Sequence, residues 1–114
     1  MPFWRNEVID PMLHAQTKRE IDEQMVWIAR EPANPDPFAN LAALYRMQNR
    51  PDEALGLLLE AVRLDPAHAE ANVALCEMYS VAGDYAAAWK HARRAEAAGE
   101  ASGVELLTRH GIAE

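Results

Sequence analysis

The sequence predicts an all-α solenoid built from a repeated pair of helices. Three observations carry this reading. The chain matches itself at an offset of 34 residues; apolar residues in each copy recur at spacings of three and four; and an acid (Asp36, Glu70) and a turn residue (Asn49, Gly83) punctuate both copies at the same places. A self-match of this period is the signature of a repeat architecture. The offset lays Leu41 on Leu75, Tyr45 on Tyr79, Ala54 on Ala88 and Ala61 on Ala95. Asp36 and Glu70, Ala42 and Cys76, Leu44 and Met78, and Asn49 and Gly83 agree in character.

The elements follow in chain order. Residues 1–9 set Phe3, Trp4, Val8 and Ile9 among polar groups. Two uses are open: a tail folded back on the solenoid end, or an arm for self-association or a partner, since aromatic residues are enriched in interfaces. Asp10-Pro11 is a cap-plus-proline helix start, and the helix it opens would stop at Pro32. A competing start lies at Thr17 with Glu20 at capping-box spacing, which would bend the chain around His14–Thr17. Ile21, Met25 and Ile28 form its apolar stripe. Pro32 precedes Pro66 by one repeat length, so this helix takes the place of the second helix of a degenerate half-repeat. Trp27 falls where the repeats have Ala61 and Ala95, so the helix must dock differently and reads as an N-terminal cap.

Ala33-Asn34-Pro35 is a turn. Asp36 then acts as a capping carboxylate before Pro37, and Phe38, Leu41, Ala42, Leu44 and Tyr45 line one side of a helix. Asn49 marks its left-handed end. Pro51-Asp52-Glu53 opens a second helix with acids at its positive end. Ala54, Leu55, Leu57, Leu58, Ala61, Val62 and Leu64 form its apolar side, and Pro66 forces Asp65 out of helical geometry. The second copy gives helices over 70–82 and 85–98, stopped at Gly99. Small residues at matched places (Ala42, Ala54, Ala61; Cys76, Ala88, Ala95) let helices approach closely. Ser102 precedes Glu105 at capping-box spacing, and Val104, Leu106 and Leu107 give a short amphipathic helix ending near Gly111. A solenoid needs such a terminal element with one apolar and one polar face.

The unit resembles a tetratricopeptide repeat (TPR). That family's pattern is carried here by Phe38, Leu41, Ala42, Tyr45, Ala54, Leu58, Ala61 and Pro66, then by Leu75, Cys76, Tyr79, Ala88, Ala92 and Ala95. The second copy departs at Asn72, where an aromatic residue is usual, and at Glu100, where proline is usual; the missing proline suggests that the solenoid ends there. The resemblance implies a right-handed helical solenoid. We expect one domain over 1–114: an N-terminal arm and capping half-repeat (1–34), two full repeats (35–68 and 69–102) and a C-terminal capping helix (103–114).

In TPR-like solenoids the first helix of each unit lines the concave face. By resemblance, the groove positions of the first unit are Asp36, Ala39, Asn40, Ala43, Arg46 and Met47. Those of the second are Glu70, Val73, Ala74, Glu77, Ser80 and Val81. One family use is to clamp the C-terminal carboxylate of heat-shock chaperones with Lys, Asn and Arg. Only Asn40 matches, and Glu70 and Glu77 would repel a carboxylate, so the clamp is rejected. The expected partner is a protein segment that is apolar with some positive charge, held as a peptide or helix in a groove. The alternative is a homo-oligomeric scaffold in which the N-terminal segment docks on a neighbouring subunit.

Composition narrows the classes. The chain has 114 residues, a net charge of −7, 50% hydrophobic and 25% charged residues. One domain of this size buries a real core. The acidic balance argues against nucleic acid and anionic membranes. No run is long enough to span a bilayer, and the start Met1-Pro2-Phe3-Trp4-Arg5 lacks a signal-peptide pattern. A lone cysteine excludes an internal disulfide, and a cytoplasmic location is expected.

No catalytic, cofactor or metal residues are expected. His14, His68, His91 and His110 have no second ligand at metal spacing on one helix face. Cys76 stands where the repeat wants a small residue, and the five glycines form no phosphate loop. Lys90, Arg93 and Arg94 make a basic strip near a helix C-terminus, where cations are favoured anyway.

Overall fold

The computed structural model describes residues 11–114. Phe3, Trp4, Val8 and Ile9, and with them the two uses foreseen for the arm, lie outside the described residues. Among the described residues six helices follow one another: α1 (Pro11–Arg30), α2 (Pro35–Met47), α3 (Pro51–Leu64), α4 (Ala69–Ala82), α5 (Tyr85–Ala97) and α6 (Ser102–Arg109). Each packs on the next in sequence, and α6 also touches α4. The protein is an all-α helical-repeat solenoid, and α4 and α5 begin one 34-residue offset after α2 and α3.

The helices come together at small residues. Ala42, Ala54, Ala61, Cys76, Ala88 and Ala95 all have no exposed surface. Larger side chains fill the space between these contacts. Ile21, Leu41, Tyr45, Leu58, Val62 and Leu75 form a cluster spanning α1 to α4. Cys76, Ala88, Trp89, Ala92 and Leu107 form a second spanning α4 to α6, and half-buried Tyr79 packs against both. Complete burial of a leucine such as Leu58, Leu75 or Leu107 stabilises by about 1.5–3 kcal/mol.

α1 is one continuous helix through His14–Thr17, so the start by Pro11 prevails over the one at Thr17. Good helix formers flank Thr17 on both sides, and Gln16 donates to Glu20 within the helix. The helix docks through buried Ile21 and half-buried Ile28. Met25 is exposed, contrary to the expected stripe. Gln24 faces α2 instead and accepts a hydrogen bond from Asn40 Nδ2 at 3.2 Å. Trp27 stays at the margin, its indole N–H donating to Glu31 Oε2 at 2.6 Å.

Helix ends follow two recipes. α1 and α3 stop before Pro32 and Pro66, with Asp65 extended as the pre-proline rule demands. The others close with a left-handed residue: Asn49 (φ 58°), Gly83 (φ 82°), Gly99 (φ 98°) and Gly111 (φ 70°). In each, the next N–H reaches back to a carbonyl five residues earlier: Arg50 to Tyr45, Asp84 to Tyr79, Glu100 to Ala95 and Ile112 to Leu107, at 2.8–2.9 Å. This is the Schellman arrangement.

Two expected helix starts differ. The cap of α2 is Asn34, whose Oδ1 accepts from the Asp36 N–H at 3.0 Å; Asp36 lies inside the helix. Pro35 is already helical because its missing N–H costs nothing at the first position. One offset later His68 caps α4, its Nδ1 accepting from the Ala71 N–H at 3.1 Å. Its Nε2–H then donates to Asp36 Oδ1 at 2.9 Å, which joins the starts of α2 and α4. The Ser102–Glu105 capping box does not form: Ser102 is the first residue of α6, and its N–H donates to Glu100 Oε1 at 3.1 Å.

Asn72, where the repeat pattern wants an aromatic residue, is fully buried and polar. Its Nδ2 donates to the carbonyls of Pro66 and His68, at 3.0 and 2.9 Å. Its Oδ1 is therefore left to accept, and His91 Nδ1–H supplies the proton at 2.8 Å. The His91 ring stacks on Tyr79 with centroids 5.6 Å apart. His91 is 5% exposed. Burial, then the charges of Arg94 and Lys90, push its pKa from 6.5 down to about 4.

α6 approaches α4 and α5 through Gly103. A Cβ there would lie 3.2 Å from Cys76 Sγ and 3.3 Å from Ala92 Cβ. Gly103→Val is therefore expected to lift α6 and cost about 1–3 kcal/mol. Thermal melting checks this, and an unchanged melt would mean that α6 is not seated there. The histidine gives a second test. Between pH 6.5 and 4 the unfolded chain binds the proton that folded His91 refuses, so stability falls as pH falls through that window. Urea titrations at pH 7 and 4.5 should show a loss about 2–3 kcal/mol larger for wild type than for His91→Gln. Equal losses would show that His91 titrates normally in the fold.

Candidate functional site

A cleft lies between α2 and α4, and Arg46 and Glu77 meet across it. Arg46 Nη1 donates to Glu77 Oε1 at 3.4 Å, with both side chains partly exposed. Such a pair contributes at most about 1 kcal/mol, so it fixes position more than stability. Both residues line each of two cavities.

The cavity toward the starts of α2 and α4 holds about 440 Å³. Ala39, Ala43, Leu58, Ala69, Val73 and Ala74 make its apolar wall, and Glu70, Glu77 and Glu100 bring carboxylates against the single Arg46. Ser102 closes it at the start of α6. The other cavity, of about 690 Å³, opens where α2 and α4 end. It is lined by Met78, Val81, Tyr85, Leu106, Leu107 and Ile112, with Asn49, Pro51, Ser80 and His110 among the rest.

Nine of the twelve expected groove residues line these cavities. Ala39, Ala43, Glu70, Val73 and Ala74 line the smaller; Ser80 and Val81 the larger; Arg46 and Glu77 both. Asp36, Asn40 and Met47 line neither. Asp36 is held by His68, Asn40 is turned to Gln24, and Met47 points to solvent. Ser80 donates its hydroxyl proton to the Cys76 carbonyl at 2.7 Å. Sequence reasoning missed the share of α6, which supplies Leu106, Leu107 and, just beyond its end, His110 and Ile112. The signal was present: Gly103 lies one offset after Ala69, where a third first helix would begin.

Elsewhere Arg50 pairs with Glu53 and Arg63 with Glu60. Arg93 donates to Glu114 and Glu96 and lies over the Trp89 ring, and these carboxylates raise its pKa. The Trp89 indole N–H donates to the Ile112 carbonyl at 3.2 Å. Among the described residues no three His, Cys, Asp or Glu side chains are grouped to hold a metal ion, and no helix is long and apolar enough to cross a membrane.

A helical-repeat platform with a lined cleft is the class of protein these features define. Residues 14–95, more than half of the chain, match the family profile described as a tetratricopeptide repeat. The chain belongs to the TPR family. No curated protein matches it. TPR repeats generally mediate protein–protein interactions, and the family is typically a non-enzymatic interaction module.

Cys76 shows what burial does to the one thiol. It has no exposed surface, and burial raises its pKa. Reactivity needs an accessible thiolate. Cys76 should therefore resist an aromatic disulfide reagent in the native protein and react fully in urea. Fast labelling without urea would contradict its packed position.

Proposed function

We propose that this protein is a non-enzymatic interaction module that binds a peptide or helix of a partner protein in the cleft between α2 and α4. The observation that supports it best is the cleft itself: an apolar wall of Ala39, Ala43, Val73 and Ala74 beside Glu70, Glu77 and Glu100. Small side chains leave room for a ligand backbone, and the carboxylates favour positive charge and disfavour nucleic acid. The partner is apolar with some positive charge. The carboxylates beside this wall also speak against a chaperone-carboxylate clamp. A free, buried Cys76 fits a reducing compartment, and we place the protein in the cytoplasm.

The experiment is a pull-down from native lysate with wild type and an Ala43→Arg, Val73→Glu double variant. A protein captured by wild type and lost with the variant is the expected result. A foreign protein retained by both would remove the cleft from the reading. Capture of nothing but the protein itself would turn it toward a self-assembling scaffold.

A further inference from the structure

We propose that the cleft reads a partner segment at two anchors about 10 Å apart, a large apolar side chain in the cavity beside α6 and a lysine or arginine in the cavity beside Glu70 and Glu100. The inference rests on the binding reading above and adds the chemistry of the ligand.

The two cavities differ in kind. In the larger, Met78, Val81, Tyr85, Leu106 and Ile112 present apolar surface, and the charges of Arg46 and Glu77 cancel one another. Val81 is 91% exposed and Tyr85 46%, so apolar area there stands open to water. An aromatic or leucine side chain would cover it. In the smaller cavity Arg46 is committed to Glu77, and neither Glu70 nor Glu100 forms an ion pair among the described residues. A cation is the complement of that excess, and an acidic ligand would be repelled.

The spacing follows from α4. Val73 lines the smaller cavity, and Ser80, seven residues further on, lines the larger. Seven residues of helix rise ~10 Å. A ligand spans that distance between positions i and i+3 when extended, at ~3.3 Å per residue, or between i and i+7 when helical. The chain's own Phe3-Trp4-Arg5 carries both chemistries but at most two positions apart, short of this spacing.

The test is selection of random 12-residue peptides displayed on phage against the full chain, followed by binding measurements on the synthesised consensus. The expected consensus pairs an aromatic residue or leucine with a lysine or arginine three or seven positions away. Val81→Gln with Tyr85→Ser, both at exposed positions, should weaken the consensus peptide about tenfold. Selection on Glu70→Lys with Glu100→Lys should return acidic residues in place of the basic one. Thermal melts confirm that these variants fold. Peptides that lack the cation or the fixed spacing, yet are lost on the Ala43→Arg, Val73→Glu variant, would overturn the two-anchor reading and leave the cleft standing. Peptides retained by that variant would overturn both. Failure to enrich any sequence, or equally tight binding of a synthetic peptide of residues 1–10, would also overturn the proposal.

Discussion

Close approach at a few small residues is the constraint on which the rest of the structure depends. Ala42, Ala54, Ala61, Cys76, Ala88 and Ala95 are sealed from solvent because a neighbouring helix lies directly against each. Any larger side chain there would push two helices apart, since protein interiors have little free volume. The tight spacing in turn decides where bulk can go. Leucines and aromatics fill the gaps between contacts, and Gly103 extends the rule to α6, where even a methyl group would crowd Cys76 and Ala92. The cleft lies beside that packing: its wall is mostly alanine and valine, and two of its residues, Ala39 and Leu58, belong to the core as well.

Much of this was legible in the sequence because it is local or periodic. Asn49 and Gly83 occupy equivalent positions and both adopt the left-handed conformation that their types favour. Pro32 and Pro66 stop their helices through a steric rule that acts on one neighbour. The errors fell where several residues compete for one role. Asn34 and Asp36 are both good caps, and only the position of Pro35 inside the helix decides for Asn34. Ser102 and Glu105 have capping-box spacing, but Glu100 already satisfies the Ser102 N–H. Met25 and Gln24 sit one position apart, and it is the polar one that meets Asn40 of α2.

The cleft was legible as a set of positions and not as a shape. A repeat pattern assigns faces, so nine of the twelve groove residues line a cavity. It does not say which of them are occupied by other duties. Asp36 serves His68 and Asn40 serves Gln24, pairings across 32 and 16 residues that no local rule foretells. Nor does it say that Arg46 and Glu77 divide the cleft into compartments of unlike chemistry.

Repeat proteins usually gain or lose whole units with little penalty, because one interface is interchangeable with another. Asn72 adds to this chain a contact that depends on one particular turn. It grips the carbonyls of Pro66 and His68 behind it and His91 across from it. One offset later the equivalents of those two carbonyl acceptors are Glu100 and Ser102, set in a different turn that leads directly into α6. A duplicated copy of the segment from α4 to α5 would thus present Asn72 with a turn that its amide was not fitted to hold. Asn72 thereby ties α4 to the turn that precedes it and to α5, a fit that a plain copy of the unit would not reproduce at its front.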